Sequence, residues 1–264
     1  MPSMDTAMIG KRLSEAARLP GRALCVYGSE NVPEGSVQLS KVDRCVARAA
    51  YKLSMVPETP AMYYGTTAKE GICGGGQGWC GLMVTPPKLK YFVSTGTPEF
   101  MNGAAEFLKP TPETAERFFA APGTITPPAR YINLAGWDQV DAEQKVLSYI
   151  LIGNAESIRN MGGLIIFVSD DIFTSILMPG GPTCAAMVTY AAGMAEKAPQ
   201  NSAFVGPVDP TGNAWFPPDM MSLAIPSRMA EAMVENIDRS FIGKRPQVAF
   251  PGRRLDMNEK DKHF

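Results

Sequence analysis

Five cysteines and a single histidine limit the chemistry that this sequence can carry. The cysteines are Cys25, Cys45, Cys73, Cys80 and Cys184. The histidine, His263, lies in a polar tail at the end of the chain. A Ser-His-Asp triad and a Cys-His dyad both need a histidine base, and many zinc and iron sites need histidine ligands. The sequence therefore argues against these sites and favours chemistry based on thiols, carboxylates, lysine, tyrosine or a cofactor.

Residues 71–82, with the sequence GICGGGQGWCGL, form the most unusual stretch of the chain. Consecutive glycines cost backbone entropy, so three in a row predict a turn that lets the backbone approach a ligand. Successive N–H groups in such a turn can cradle an anion. The stretch lacks the Gly-Lys-Ser/Thr ending of a P-loop and the G-x-G-x-x-G register of a dinucleotide site. A flexible turn without a ligand is the alternative interpretation. The predicted cofactor-binding residues are Gly74, Gly75, Gly76 and Gln77.

The cysteines differ in their predicted surroundings. Cys73 and Cys184 each lie in a glycine-containing turn at or near the start of a predicted helix. A helix N-terminus lowers the pKa of a thiol and favours the thiolate, which binds metals and attacks electrophiles. Cys45 lies on the apolar side of a predicted helix, where a cysteine is often a small core residue. Cys25 lies inside a predicted strand and Cys80 lies beside Trp79, so packing is the favoured role for both.

Three hypotheses for function follow from these residues. Three thiolates from separate segments can hold an iron–sulfur cluster with one iron left open to a substrate. The first hypothesis is a 4Fe-4S protein with redox or Lewis-acid chemistry, in which Cys45, Cys73 and Cys184 are the metal ligands. The second is a non-catalytic module that binds a small anionic ligand or an organic cofactor on residues 71–82. The third is a thiol enzyme with Cys73 as its catalytic nucleophile.

Composition restricts the class of protein. The balance of 25 Lys and Arg against 26 Asp and Glu argues against a nucleic-acid or membrane-surface binder, because both need a basic excess. Charged residues make up 19% of the chain, below the usual figure of about a quarter, which favours a homo-oligomer such as a homodimer. The irregular cysteines argue against a disulfide framework, and no targeting segment or membrane span is visible. We predict a cytoplasmic protein that binds a small molecule.

Apolar periodicity predicts alternating helices and strands, and hence an α/β or α+β fold. The predicted helices cover residues 5–18, 41–54, two short stretches within 101–121, 155–161 up to a break at Gly162 and Gly163, 183–195, and a segment started by Pro226. The predicted strands cover residues 23–27, 61–64, 91–95, 131–134 at a sheet edge, 146–152, 175–178, 202–205 and 223–225.

The order of these elements predicts a single domain over residues 1–264, built from two loosely similar strand-helix-strand-helix halves. A proline-rich connector at 122–128 would separate the halves, residues 5–121 and 131–240, and a polar tail would occupy 244–264. An internal duplication of this kind would place Cys73 and Cys184 in equivalent turns.

Several of these features occur together in a known family. They are an N-terminal helix, a strand, the helix RCVARAAYKL around Cys45, the C-G-G turn at 73–75, the helix at Cys184 and the Asp219 segment that runs into Pro226. Over residues 8–240 the chain resembles the family called domain of unknown function 169, common in anaerobic bacteria and archaea. The resemblance implies one site with Cys45, Cys73 and Cys184 as the shared cysteines, and it implies no established reaction. This chain departs from the family in FVGPVDPTGNAW, which lacks an arginine often found there. The departure puts in doubt that this chain binds the same ligand as relatives that carry the arginine.

Overall fold

Eight strands form one mixed sheet in the computed structural model, counted over the residues it describes, 5–65, 71–194, 201–209 and 216–252. The strands are β1 (Leu24–Ser29), β2 (Val37–Gln38), β3 (Met62–Gly65), β4 (Tyr131–Gly136), β5 (Val146–Asn154), β6 (Ile176–Leu177), β7 (Ala203–Gly206) and β8 (Met220–Pro226). Their order across the sheet is β2-β3-β4-β1-β5-β8-β7-β6. The mixed α/β class predicted from the sequence is therefore confirmed.

Helices occupy most of the segments between the strands. They are α1 (Thr6–Ala17), α2 (Leu39–Val42), α3 (Val46–Met55), α4 (Gly74–Trp79), α5 (Leu89–Val93), α6 (Pro112–Ala120), α7 (Ala155–Val168), α8 (Tyr190–Met194), α9 (Ser227–Asn236), α10 (Phe241–Lys244) and α11 (Pro246–Ala249). A π-helical stretch, Ala185–Thr189, leads directly into α8. Within the described ranges, no helix is both long enough and apolar enough to cross a membrane. The cytoplasmic location and the homodimer stay predictions.

The sheet consists of two four-strand groups with the same internal order. β1 and β5 pair antiparallel at the centre. On the outer side of β1, β4 pairs antiparallel with β1 and β3 pairs antiparallel with β4. The outermost strand on this side, β2, pairs parallel with β3. Outward from β5 come β8, β7 and β6 with the same sequence of directions. The segment between β2 and β3 therefore corresponds to the segment between β6 and β7, although an ancestral duplication stays a prediction.

This topology changes two expectations about the middle of the chain. β4 follows the proline-rich connector, yet it lies between β3 and β1. The connector therefore does not separate two sets of strands, and residues 131–134 belong to an interior strand rather than to an edge. Cys45 lies between β2 and β3, and Cys184 lies between β6 and β7, so these two cysteines occupy corresponding segments of the two four-strand groups. Cys73 instead lies beyond β3, in the long connection to β4.

Alternating side chains divide the core between the two faces of the sheet. On the helix-packed face, Cys25 and Tyr27 of β1 and Tyr149 and Leu151 of β5 pack against α1, α7 and α9. On the cavity face, Leu24 and Val26 of β1 and Ile150 and Ile152 of β5 pack against α3 and the π-helical stretch. Burial of apolar side chains on both faces is the main stabilising contribution in such a sandwich of layers.

The predicted helix over residues 41–54 is divided into α2 and α3. Asp43 between them has an extended backbone, and its carboxylate accepts a hydrogen bond from the Cys45 N–H at 3.0 Å. The same carboxylate pairs with Arg48 and Lys52, which lie one and two turns into α3. The apolar periodicity continues across this break, so periodicity alone could not reveal it. Cys45 therefore precedes a helix rather than lying within one.

Two further sequence predictions were wrong. Residues 91–95 were predicted as a strand, but they belong mostly to α5, and the carbonyls of Phe92 and Val93 accept hydrogen bonds from residues 106, 108 and 109 in place of a neighbouring strand. Gly162 and Gly163 were predicted to end a helix, but α7 runs through both. A Cβ at Gly163 would lie 2.9 Å from the Phe241 ring, so this glycine permits close packing instead.

Candidate functional site

Cys45, Cys73 and Cys184 line one cavity of about 590 Å³ beside the cavity face of the sheet. Each cysteine comes from a different segment: Cys45 and Cys73 immediately precede α3 and α4, and Cys184 has a helical backbone in the turn that leads into the π-helical stretch. The positive end of a helix favours a negative charge placed there. We call this space the thiol cavity.

The position of Cys45 depends on the break at Asp43. Although burial opposes it, hydrogen bonds from Arg48, from the Cys45 N–H and from Lys52 lower the pKa of Asp43 to about 2. The charged carboxylate therefore holds the start of α3 and the backbone of Cys45 in place. Burial raises the pKa of the Cys45 thiol, while the Arg48 N–H opposes that shift.

Cys73 is the N-cap residue of α4. Its Sγ accepts a hydrogen bond from the Gly76 N–H at 3.3 Å, and its side chain is exposed. Its own N–H donates to the carbonyl of Arg44 at 2.8 Å. Because Arg44 directly precedes Cys45, this bond joins the two cysteine-bearing segments.

The predicted glycine turn is partly helical, and its residues have different environments. Gly75 and Gly76 line the thiol cavity. A Cβ added at Gly74 or Gly75 would meet no atom within 4 Å, so these two glycines are not required by packing. The side-chain amide of Gln77 instead donates to the carbonyl of Ile72 at 2.8 Å. The structure therefore brings Gly75 and Gly76 to the cavity and turns the Gln77 amide back onto its own loop.

Cys184 lies against a fourth thiol, Cys80, behind the cavity wall. A hydrogen bond from the Cys184 thiol lowers the pKa of Cys80 against the effect of burial, and Thr189 and Tyr64 add to the lowering. The Thr189 hydroxyl lies 3.8 Å from the Cys80 Sγ. The same hydrogen bond raises the pKa of Cys184, and burial, Cys80, Cys73 and Cys45 raise it further. Cys80 is therefore the member of this buried pair that favours the thiolate.

Sequence reasoning favoured packing beside Trp79 for Cys80, with a position facing the same site as the alternative, and it missed Tyr64 and Thr189. Cys80 follows Cys73 by seven residues, which is about two helical turns, and this spacing would place both on one side of a helix. That signal was available in the sequence. Tyr64 and Thr189 carried no such signal, because they reach Cys80 from β3 and from the π-helical stretch.

The walls of the thiol cavity are largely apolar. Trp79, Phe118 and Phe119 form an aromatic cluster, with ring centroids 5.4, 6.1 and 5.8 Å apart. The Lys109 ammonium lies 4.2 Å from the centroid of the Phe118 ring, a cation–π contact. The charged residues that line the cavity are Asp43, Arg44, Arg48, Glu106, Lys109 and Asp209.

Metal binding would require movement of the thiols. In the part of the chain that the structure describes, no three Cys, His, Asp or Glu side chains form a group that could hold a metal ion as they stand. Cys25 lies on the helix-packed face, away from the other cysteines. His263 lies outside the described residues.

Comparison with known proteins gives one finding. A family model, DUF169, described as uncharacterised ArCR, matches residues 12–236. Searches of the curated proteins and of the solved structures found no match.

Proposed function

The chain belongs to the DUF169 family, and from that premise we propose that it holds an iron–sulfur cluster through Cys45, Cys73 and Cys184. The observation that carries the proposal is that these cysteines, from three separate segments, line one cavity. Thiolates are the usual ligands of such clusters. The bound cluster would supply redox or Lewis-acid chemistry through an iron that is left open toward the cavity.

The residues present fit such a group in their chemistry. All three donors are soft thiols, and Arg44 and Arg48 place positive charge on the same cavity. The Gly76 N–H already donates to the Cys73 Sγ, the kind of contact that tunes a cluster's potential. The three thiols must turn toward a common point, and the open space beside Gly74 and Gly75 leaves room for that movement.

The chain's own residues would have distinct roles. Asp43 fixes the backbone at Cys45, and the Arg44 carbonyl fixes the backbone at Cys73. In the metal-free chain, Cys80, which does not line the cavity, accepts a hydrogen bond from the Cys184 thiol. An iron-bound Cys184 would be a thiolate without a proton, so the Cys80 thiol would donate this hydrogen bond instead and orient the Cys184 sulfur. The aromatic wall excludes water from the side of the cavity that a substrate would contact.

Anaerobic purification or reconstitution, followed by iron and sulfide analysis, tests the proposal. We expect about four irons and four sulfides per chain, as for a 4Fe-4S cluster. Cys45→Ser, Cys73→Ser and Cys184→Ser should each lose most of the iron. Cys25→Ala is the matched control, because it removes a buried thiol on the opposite face and should retain the iron. A wild-type chain that stays free of iron, or equal iron in all four variants, would contradict the proposal.

A second candidate is a thiol enzyme with Cys73 as the nucleophile. It rests on the exposure of Cys73 and on the hydrogen bond that its Sγ accepts from the Gly76 N–H. Alkylation of the metal-free protein at neutral pH should then modify Cys73 faster than a cysteine in an unfolded peptide. A Cys73 rate no higher than the peptide rate would remove this candidate.

A further inference from the structure

We propose that Cys45 and Cys73 are a redox-active pair that closes to a reversible disulfide in the metal-free chain. The inference rests on the proposed function for its consequence, because the disulfide would withdraw two of the three proposed cluster ligands. It is carried by the hydrogen bonds that join the two cysteine-bearing segments, by the cavity that both side chains line, and by the exposure of Cys73.

Arg44 holds the two cysteine-bearing segments close together. Its carbonyl accepts a hydrogen bond from the Cys73 N–H at 2.8 Å, and its Nε donates to the carbonyl of Gly71 at 2.9 Å. Because Cys45 directly follows Arg44, standard peptide dimensions put the Cα atoms of Cys45 and Cys73 at most about 7 Å apart. Disulfides usually join Cα atoms about 4.4–6.8 Å apart, so the backbone needs little movement to close this one.

The side chains of the pair occupy the same space. Cys45 and Cys73 both line the thiol cavity. A Cβ added at Gly76 would lie 3.4 Å from the Cys73 Sγ and 3.7 Å from Cγ2 of Val46, the residue after Cys45. The lack of a side chain at Gly76 therefore lets the Cys73 sulfur approach the start of α3, where Cys45 lies.

The other two thiols near the cavity form a separate pair. The Cys184 thiol donates a hydrogen bond to Cys80, which does not line the cavity. Cys73 is exposed, whereas Cys80 and Cys184 are buried. An oxidant that arrives from solvent therefore meets Cys73 first, and Cys45, across the Arg44 hydrogen bond, is the thiol that completes the reaction.

A small disulfide, written RS–SR, is the class of oxidant for this reaction. The Cys73 thiolate attacks one sulfur of RS–SR, whose S–S bond breaks, so that one RS⁻ leaves and a mixed disulfide forms. The Cys45 thiolate then attacks the Cys73 sulfur and displaces the second RS⁻. The pair loses two electrons and two protons, and RS–SR becomes two RSH. A dithiol reductant reverses the exchange. Because Arg44 already joins the segments, the second step needs little further ordering of the chain.

Bis(2-hydroxyethyl) disulfide, added to the metal-free full-length chain, tests the inference. The remaining thiols are blocked with N-ethylmaleimide in denaturant, and peptide mass spectrometry without reductant maps the bonds. We expect a Cys45–Cys73 disulfide as the main product, and dithiothreitol should remove it. Cys45→Ser should stop the reaction at the mixed disulfide on Cys73. Cys25→Ala is the matched control, because it removes a buried thiol on the helix-packed face and should leave the product unchanged.

The outcomes separate this inference from the proposed function. A main product that joins Cys80 to Cys184, a wild-type chain that stops at the mixed disulfide, or a chain that does not react would overturn the inference. A chain first loaded with iron and then freed of excess iron and sulfide should lose most of the Cys45–Cys73 product, because both thiols are bound. An equal yield with and without iron would show that the disulfide does not compete with the cluster. A chain that takes up no iron contradicts the proposed function alone, because the disulfide is mapped on metal-free protein.

Discussion

Cys25 and Cys80 are both buried, one on each face of the sheet, and their pKa values move in opposite directions. Burial raises the pKa of Cys25, with a further contribution from Asp138. Burial also acts on Cys80, but hydrogen bonds from Cys184, Thr189 and Tyr64 outweigh it and lower the pKa. The donors that surround a buried sulfur thus decide whether it can carry charge.

The packing of the two faces of the sheet also differs. Cys25 is fully buried in a core that α1, α7 and α9 cover. The cavity face instead leaves an open volume beside Cys45, Cys73 and Cys184. Both faces therefore bury apolar side chains, and the cavity face adds an open volume beside its thiols.

The largest effect expected from this difference is in alkylation of the native protein. Cys25 has no route to solvent except through unfolding, so its rate should fall below that of Cys73 by at least about a thousandfold. Timed labelling with iodoacetamide, followed by peptide mass spectrometry, measures both rates. In denaturant, the alkylation rates of Cys25 and Cys73 should become similar. Native labelling of Cys25 at a rate similar to that of Cys73 would break the comparison between the faces.

A smaller effect is expected at Asp43, which holds the start of α3 on the cavity face. Its pKa is lowered to about 2, so its contribution to stability is present above its ordinary pKa and is lost as the pH falls from about 4 to about 2. Asp43→Asn should reduce the free energy of unfolding at pH 7 by roughly 1–2 kcal/mol, allowing for the half-exposed partners.

Chemical denaturation at several pH values checks the Asp43 prediction. The difference in the free energy of unfolding between wild type and Asp43→Asn should become smaller as the pH falls toward 2. Asp238→Asn is the control, because the Asp238 side chain is 80% exposed in its ion pair with Arg12 and should change stability little at any pH. If this difference in the free energy of unfolding did not change with pH, the charge of Asp43 would not be what stabilises this face.

The smallest effect concerns Tyr64. Tyr64→Phe removes one hydrogen-bond donor from the Cys80 thiolate and should raise the pKa of Cys80. The ultraviolet absorbance of thiolate during a pH titration measures the shift, with Cys80→Ser identifying the signal. Tyr63→Phe, on the same strand but less buried, is the matched control and should leave the titration unchanged. An equal shift in both variants would mean that Tyr64 acts through packing rather than through its hydroxyl.

The sequence predicted the fold class, the family and most strands, because buried strands and capped helices leave local signals. Asn154 and Thr111 both cap helices as their types predict. The break at Asp43 escaped detection because it depends on an ion pair with Arg48 and Lys52, a contact that apolar periodicity does not record. α5 was mistaken for a strand because Tyr91, Phe92 and Val93 favour strands locally, while tertiary hydrogen bonds decided otherwise.

The candidate site was predictable only in part for the same reason. The residue types identified Cys45, Cys73 and Cys184, but no sequence signal established that they share a cavity. The interaction of Cys80 with Tyr64 depends on the meeting of β3 with the end of α4.

The strand order also has a consequence for how the protein is made. β1, near the start of the chain, pairs with β4 and with β5, which are synthesised about a hundred residues later. Pairings between such distant segments form slowly, and nascent chains fold from the N-terminus. Cys45 and Cys73 therefore leave the ribosome well before Cys184 and before the β7 and β8 strands that support its segment. The thiol cavity is therefore completed only after most of the chain has been translated.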